Sequence, residues 1–206
     1  MFFEVLVEGG ADVPALKAVL ERRFALTENR DFRIHPHRGK GRLPANPLAR
    51  PAPAHQGLLD QLPAKLRGYG RSLGPDCCVL VVVDADDDDC RELKQSLVEM
   101  IESLPVRPPC VLFRIAVEET ESWFVADVAA VEAAYPGANT RDLARIVPDS
   151  VIGAWEALGR AIGEQGVPDK RRWAERISLH LTLDPPCSPS LGALIDGVQR
   201  ILETGS

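Results

Sequence analysis

The chain has 206 residues, 45% of them hydrophobic and 26% charged, with a net charge of -6 and a pI of about 5.3. Such a length and composition suit a globular chain with a substantial core and exclude disorder throughout. The acidic balance excludes a uniformly basic nucleic-acid coat, which neutralises phosphates with Lys and Arg, but leaves room for an enzyme whose metal-binding carboxylates lower the pI.

In chain order, MFFEVLVEGG has no basic n-region and carries Glu4 inside its apolar run. It reads as a buried strand over Phe2–Val7, ended by Gly9 and Gly10, and not as a signal peptide. Asp12 has the place of an N-cap, with Pro14 close behind, for a helix running through Leu16, Val19 and Leu20 to about Phe24. Residues 31–35 form a weaker second strand. Between His37 and Gln56, Pro44, Pro47, Pro51 and Pro53 break regular structure, leaving a loop long enough to suspect a function. An amphipathic helix is predicted over 58–73. CCVLVVV, residues 77–83, is apolar at every position, as in a central strand covered on both faces. It runs into Asp84-Ala85-Asp86-Asp87-Asp88-Asp89, and a helix is predicted over 90–103. After Pro105, Pro108 and Pro109, residues 110–117 form another apolar strand, and beyond them only helical patterns remain, over 121–135, 150–162, 170–181 and 190–202.

Alternating strands and helices imply an α/β fold with a mainly parallel sheet flanked by crossover helices. We expect one domain over 1–206, with an α/β core at 1–117 and a helical C-terminal portion at 118–206 packed on it. No apolar run reaches membrane-spanning length. Cys77, Cys78, Cys90, Cys110 and Cys187 are odd in number and contain no CxxC pair. They read as buried free thiols, and a cytoplasmic protein is expected.

The chemistry-bearing residues follow the strands. Glu8 follows FFEVLV, Asp84 and Asp86 follow CCVLVVV, and Glu118, Glu119 and Glu121 follow CVLFRIAV. Functional groups of an open α/β sheet collect at the carboxyl ends of its strands. Neighbouring parallel strands would therefore bring these acids to one edge, where like charges need a cation to stay ionised together. Mg²⁺ or Mn²⁺, which prefer oxygen ligands, are the natural compensators, and Asp88 is a further candidate ligand. Asp88 or Asp89 also suits capping of the next helix, and Asp87 reads as solvated. His37-Arg38-Gly39-Lys40-Gly41-Arg42 is locally basic and suits phosphate contact, with Lys40 the candidate to offset charge in catalysis. It lacks Walker A spacing. Trp123, Trp155 and Trp173 lie on helical patterns and read as core. Lys170 and Arg171 could reach the acidic edge, and a place on a surface helix explains them as well.

The order strand-Glu-Gly followed by strand-DxD resembles the Toprim fold of topoisomerases, bacterial primases and OLD-type nucleases. VEGGAD, HRGKG, VVVDADDDDC, IAVEETESWFVAD and SPSL, in this order, resemble more narrowly the domain of unknown function 4276, related to OLD-type Toprim domains. The resemblance implies Glu8 as acid/base or metal ligand, Asp84 and Asp86 as ligands of Mg²⁺, and a nuclease or defence role alongside an AAA-type ATPase. These motifs cover nearly the whole chain, whereas the Toprim part proper ends near Val117 and the helical remainder has no equivalent in primases. The expected function is thus divalent-metal-dependent phosphodiester chemistry on DNA or RNA. The alternative is a non-catalytic, nucleic-acid-sensing partner of an ATPase. A HAD-like phosphatase fits less well, because Asp88 occupies the Thr/Val position of DxDx[TV] and the motif comes late in the chain.

Overall fold

The apolar run that begins at Cys77 becomes β3 (Cys77–Asp84) and lies inside the sheet, as its composition requires. The computed structural model describes residues 1–86, 88–150, 152–164 and 166–205; Asp87 lies outside them. β3 pairs with β1 (Phe2–Val7) on one side and β4 (Cys110–Ala116) on the other, and β2 (Phe32–Pro36) lies beyond β1. Every pairing in the order β2-β1-β3-β4 is parallel. Side chains of β3 alternate between two apolar layers, Cys78, Leu80 and Val82 on one face and Val79, Val81 and Val83 on the other.

α1 (Val13–Ala18), continued by a π-helical turn over Val19–Arg23, covers the first face. α2 (Leu58–Ser72) and α3 (Cys90–Glu102) cover the second. The chain leaves β1 towards β2 in one direction and returns past β1 to β3 in the other. The winding therefore reverses between β1 and β3. At such a switch point the connections part to opposite faces and leave a crevice at the carboxyl ends of the strands. Glu8 and Asp84 stand at those two ends.

The remaining chain forms α4 (Glu121–Ala126), α5 (Val128–Ala134), a 3-10 turn (Leu143–Arg145), α6 (Ala154–Ile162), α7 (Lys170–Ile177) and α8 (Pro189–Thr204). Trp123, Leu158, Trp173 and Leu194 join Phe3, Val5 and Leu80 in one buried cluster, so these helices share the core of the sheet's first face. The single helix predicted over 121–135 is two. Asp127 interrupts it by accepting from Ala130 N–H at 3.1 Å and from Thr182 N–H at 2.6 Å, so its capping chemistry overrides the apolar periodicity. The helix predicted from residue 150 starts only at Ala154, after Gly153 at φ +80°, a conformation that suits glycine. All five cysteines are free; Cys78 is buried as expected, whereas Cys187 is exposed.

All three tryptophans lie in the helical portion, so their fluorescence reports on it while a substitution in β3 perturbs the sheet. Leu80→Ala, at a fully buried position, is expected to cost about 2–5 kcal/mol. Urea unfolding followed by fluorescence and by far-UV circular dichroism should shift by the same amount in both signals. A fluorescence transition left in place would mean that the two portions unfold separately.

Candidate active site at the carboxyl edge of the sheet

The site begins with one hydrogen bond. The backbone N–H of Asp84 donates to Glu8 Oε1 at 2.8 Å, tying together residues 76 positions apart. Glu8 is partly buried, and burial pushes its carboxyl up to about 7. The Asp84 N–H opposes that rise, Asp86 and Asp12 add to it, and Lys40 counters it. Asp84 is at the centre of the crowd. Burial raises it well above an ordinary aspartate, and Asp12, Glu8, Glu121 and Asp86 each push further in the same direction.

Asp12, read from the sequence as an N-cap, makes no side-chain bond to the start of α1. Its Oδ2 accepts from Gly9 N–H and its Oδ1 from the Thr120 hydroxyl, both at 2.9 Å, and only 7% of the residue is exposed. Two glycines turn the chain back after Glu8, so the acid four positions on faces inward towards Asp84 instead of outward along the helix. The signal in VEGGAD was the spacing of the two acids across that Gly-Gly turn. Burial raises the Asp12 pKa, against the bonds from Gly9 and Thr120 and the charge of Lys170.

Two lysines flank the crowd. Lys40 Nζ donates to Ala85 O at 2.7 Å and pairs with Asp86 at 3.1 Å and Asp88 at 2.7 Å. Burial works against its charge, but the bonds to Asp88 and Asp86 more than offset this and lift its pKa above the ordinary lysine value. The HRGKG loop is fixed for the purpose. Gly39 N–H donates to Glu8 O at 2.9 Å, and Leu58 and Leu59 N–H donate to Gly39 and Lys40 O at 2.8 and 2.7 Å. A Cβ on Gly57 would lie 2.5 Å from the Gly41 backbone, so this approach of loop to helix requires glycine. The second lysine, Lys170 at the start of α7, pairs with Glu119 at 3.0 Å and Glu121 at 3.6 Å. Glu121 is 4% exposed; burial pushes it up to about 7, with Glu119 and Asp12 adding to the rise and Lys170 opposing it.

The acids predicted to share one cation are therefore sorted differently. Glu8, Glu121 and Asp12 lie near enough to Asp84 for their charges to act on it. Asp86 and Asp88 are exposed and held by Lys40. Glu118 is turned away, because its carboxylate accepts from the backbone N–H of Gly153 and, at 3.2 Å, of Ala154 at the start of α6. Helix capping thus takes it from the cluster. The next helix after β3 is capped by Asp89, not Asp88, through Arg91 and Glu92 N–H. Among the described residues no three His, Cys, Asp or Glu side chains are grouped closely enough to hold one ion as they stand. The donor set nonetheless fits a hard cation: it is all oxygen, burial and mutual repulsion raise its members, and the buried Glu119 Oε2 has no hydrogen-bond partner. Of the predicted phosphate contacts, Arg38 and Arg42 are exposed beside this loop. His37 instead donates from Nδ1 to Val7 O at 2.8 Å, and burial lowers its pKa. Trp123 and Trp173 are core, each 1% exposed, while Trp155 is only partly buried and lies under Lys170.

A parallel sheet wound in this order, with acids gathered at the switch point, defines an α/β protein of the Toprim-like kind. The family described as "Domain of unknown function (DUF4276)" matches residues 7–199, and the chain belongs to it. Among solved structures the chain is similar to the C-terminal region of the Burkholderia pseudomallei OLD protein, with 14% identity and a TM-score of 0.56, covering 99% of this chain and 98% of that one. At this identity the likeness concerns the fold. No curated protein matches.

Glu121 carries a pKa raised from 4.5 to about 7, so the folded state binds its proton more tightly than the unfolded state. The resulting destabilisation is absent below about pH 4.5, grows as pH rises and is complete above about 7. Glu121→Gln is therefore expected to raise the stability at pH 8 by roughly 1–3 kcal/mol, less at pH 6 and not at all at pH 4, measured by urea titration. A pH-independent change would disprove the assignment.

Proposed function

We propose that this chain carries out divalent-metal-dependent phosphodiester hydrolysis on nucleic acid, as a Toprim-type nuclease. The reading is supported above all by the 2.8 Å bond between Glu8 and the Asp84 backbone, which joins two acids at the crevice between β1 and β3. Glu8, with a pKa of about 7, is suited to exchange a proton near neutral pH. Its Oε1 is held by the Asp84 N–H, which orients the carboxylate so that Oε2 can take a proton from an attacking water. Asp84 and Glu8 would hold Mg²⁺ or Mn²⁺, with Asp12, Asp86 and Glu121 close enough in charge to contribute. The ion would supply Lewis-acid stabilisation of the phosphate oxygens and compensate the crowded carboxylates. Lys40, released from Asp86 and Asp88, has the charge and position to meet developing negative charge. The phosphatase alternative is disfavoured by Asp88, which stands at the Thr/Val position of DxDx[TV].

A second reading, a non-catalytic partner of an AAA-type ATPase, is favoured by one observation. Lys40 and Lys170 already neutralise Asp86, Asp88, Glu119 and Glu121 within the chain. Co-purification with an ATPase, with every cleavage assay negative, would favour it.

Single- and double-stranded DNA and RNA, incubated with Mg²⁺ or Mn²⁺, should be cleaved by the unmodified chain. Glu8→Gln and Asp84→Asn are each expected to reduce cleavage by about 10²-fold or more. Undiminished cleavage by Asp84→Asn would end the assignment. Independently of activity, millimolar Mn²⁺ should raise the melting temperature of the unmodified chain and leave that of Asp84→Asn unmoved.

A further inference from the structure

Charge is distributed unevenly along the chain. Between Arg30 and Arg71 nine Lys and Arg residues face two acids, a local charge of +7 that leaves -13 for the remainder of a chain of net -6. This segment builds β2, the strand at the edge of the sheet, the loop that follows it, and α2, which covers the same side. The acids of this region are already engaged. Asp31 pairs with Arg30 at 2.8 Å and accepts from Thr27 N–H. Asp60 accepts from the backbone N–H of Gly57 and Arg42, and Glu4 of β1 is bonded by His35 at 2.5 Å. Arg33, Arg38, Arg42 and Lys65 make no ion pair among the described residues.

These cations lie on one side of the sheet, on β2, on the loop after it and on α2. Arg33 lies in β2 opposite Glu4, and its charge acts on Tyr69, one helical turn beyond Lys65 in α2. Lys65 in turn adds to the lowering of the His37 pKa, after burial. From Arg33 to His37 the strand climbs about 13 Å towards the carboxyl edge of the sheet. There His37 is bonded to Val7 O through its backbone N–H at 3.0 Å, and Gly39 to Glu8 O. Past Arg38, Lys40 and Arg42 line one side of a groove of about 670 Å³ whose acids are Asp86, Asp88, Asp89 and Glu92, so that the cations meet a nucleic-acid strand's phosphates at its entrance and the acids lie beyond them.

We propose that Arg33, Lys65, Arg38 and Arg42 form a track for the phosphodiester backbone of a nucleic acid, leading it over the β2 edge to the groove beside Lys40 and Asp86, at the carboxyl edge of the sheet. The inference rests on the reading above for what is bound, and on the charge geometry for where. Three of the four cations are arginines, whose planar fork matches phosphate oxygens in pairs. The track also ends in this groove, which a strand can enter and a flat anionic bilayer cannot.

The test measures binding, not cleavage. The full chain carrying Glu8→Gln is titrated in EDTA against short labelled single-stranded and duplex oligonucleotides between about 50 and 200 mM salt. Four phosphate contacts predict a slope of log K against log salt of about -3. The combined substitution Arg33→Gln, Arg38→Gln, Lys65→Gln should flatten the slope by about 2 and weaken binding at low salt by roughly tenfold or more, with an unchanged circular dichroism spectrum. Arg141→Gln with Arg145→Gln, on the helical portion, should change neither. No binding, or an unchanged slope in the triple variant, overturns the track. So does a triple variant that loses affinity for phosphatidylserine vesicles alone, since the surface would then serve a membrane. If the slope flattens as expected while no nucleic acid is cleaved with any metal, the track stands and the hydrolytic function falls.

Discussion

Carboxylates brought close together in a partly buried place repel one another, and the arrangement around Glu8 and Asp84 is organised by that repulsion. The backbone N–H of Asp84 holds Glu8, and two glycines turn Asp12 inward. Glu121 completes the crowd from the first turn of α4. Each of these acids is raised by burial, and all but Asp12 also by the charge of another acid. Such a cluster persists because the parallel sheet over-determines it: the strands that carry it are fixed by ladders on both sides of β3 and by two apolar layers.

The compensating cations come from opposite ends of the chain. Lys40 arrives from the loop after β2, on a turn whose glycines allow the loop to touch the start of α2. Lys170 arrives from α7, deep in the helical portion. That portion is therefore more than a cover for one face of the sheet. It places a charge beside Glu119 and Glu121, and it takes Glu118 out of the cluster as the cap of α6. The family match, running from residue 7 to residue 199, spans both parts.

Much of this was legible in the residues. A seven-residue apolar run leading into aspartates, a first strand followed by Glu-Gly-Gly and a fourth followed by glutamates are local patterns, and the structure keeps them nearly to the residue. The misreadings occur where one short polar side chain decides between local partners. Asp127 breaks a helix whose apolar periodicity continues across it, and Asp12 prefers Gly9 and Thr120 to its own helix. Periodicity reports which face a residue occupies, and says nothing of the donor that a carboxylate will find there.

By itself the sequence determined the strands, their parallel sense and the acids at their ends, because apolar runs, alternation and crossover length are properties of neighbouring residues. Only the tertiary structure decided the order β2-β1-β3-β4, the meeting of Glu8 with Asp84, the inward turn of Asp12, the diversion of Glu118 and the choice of Lys40 and Lys170 as partners. The reason is physical. Electrostatic and hydrogen-bond partners are selected by distance through space, and the distances between residues far apart in the chain exist only once the sheet has closed in one particular order.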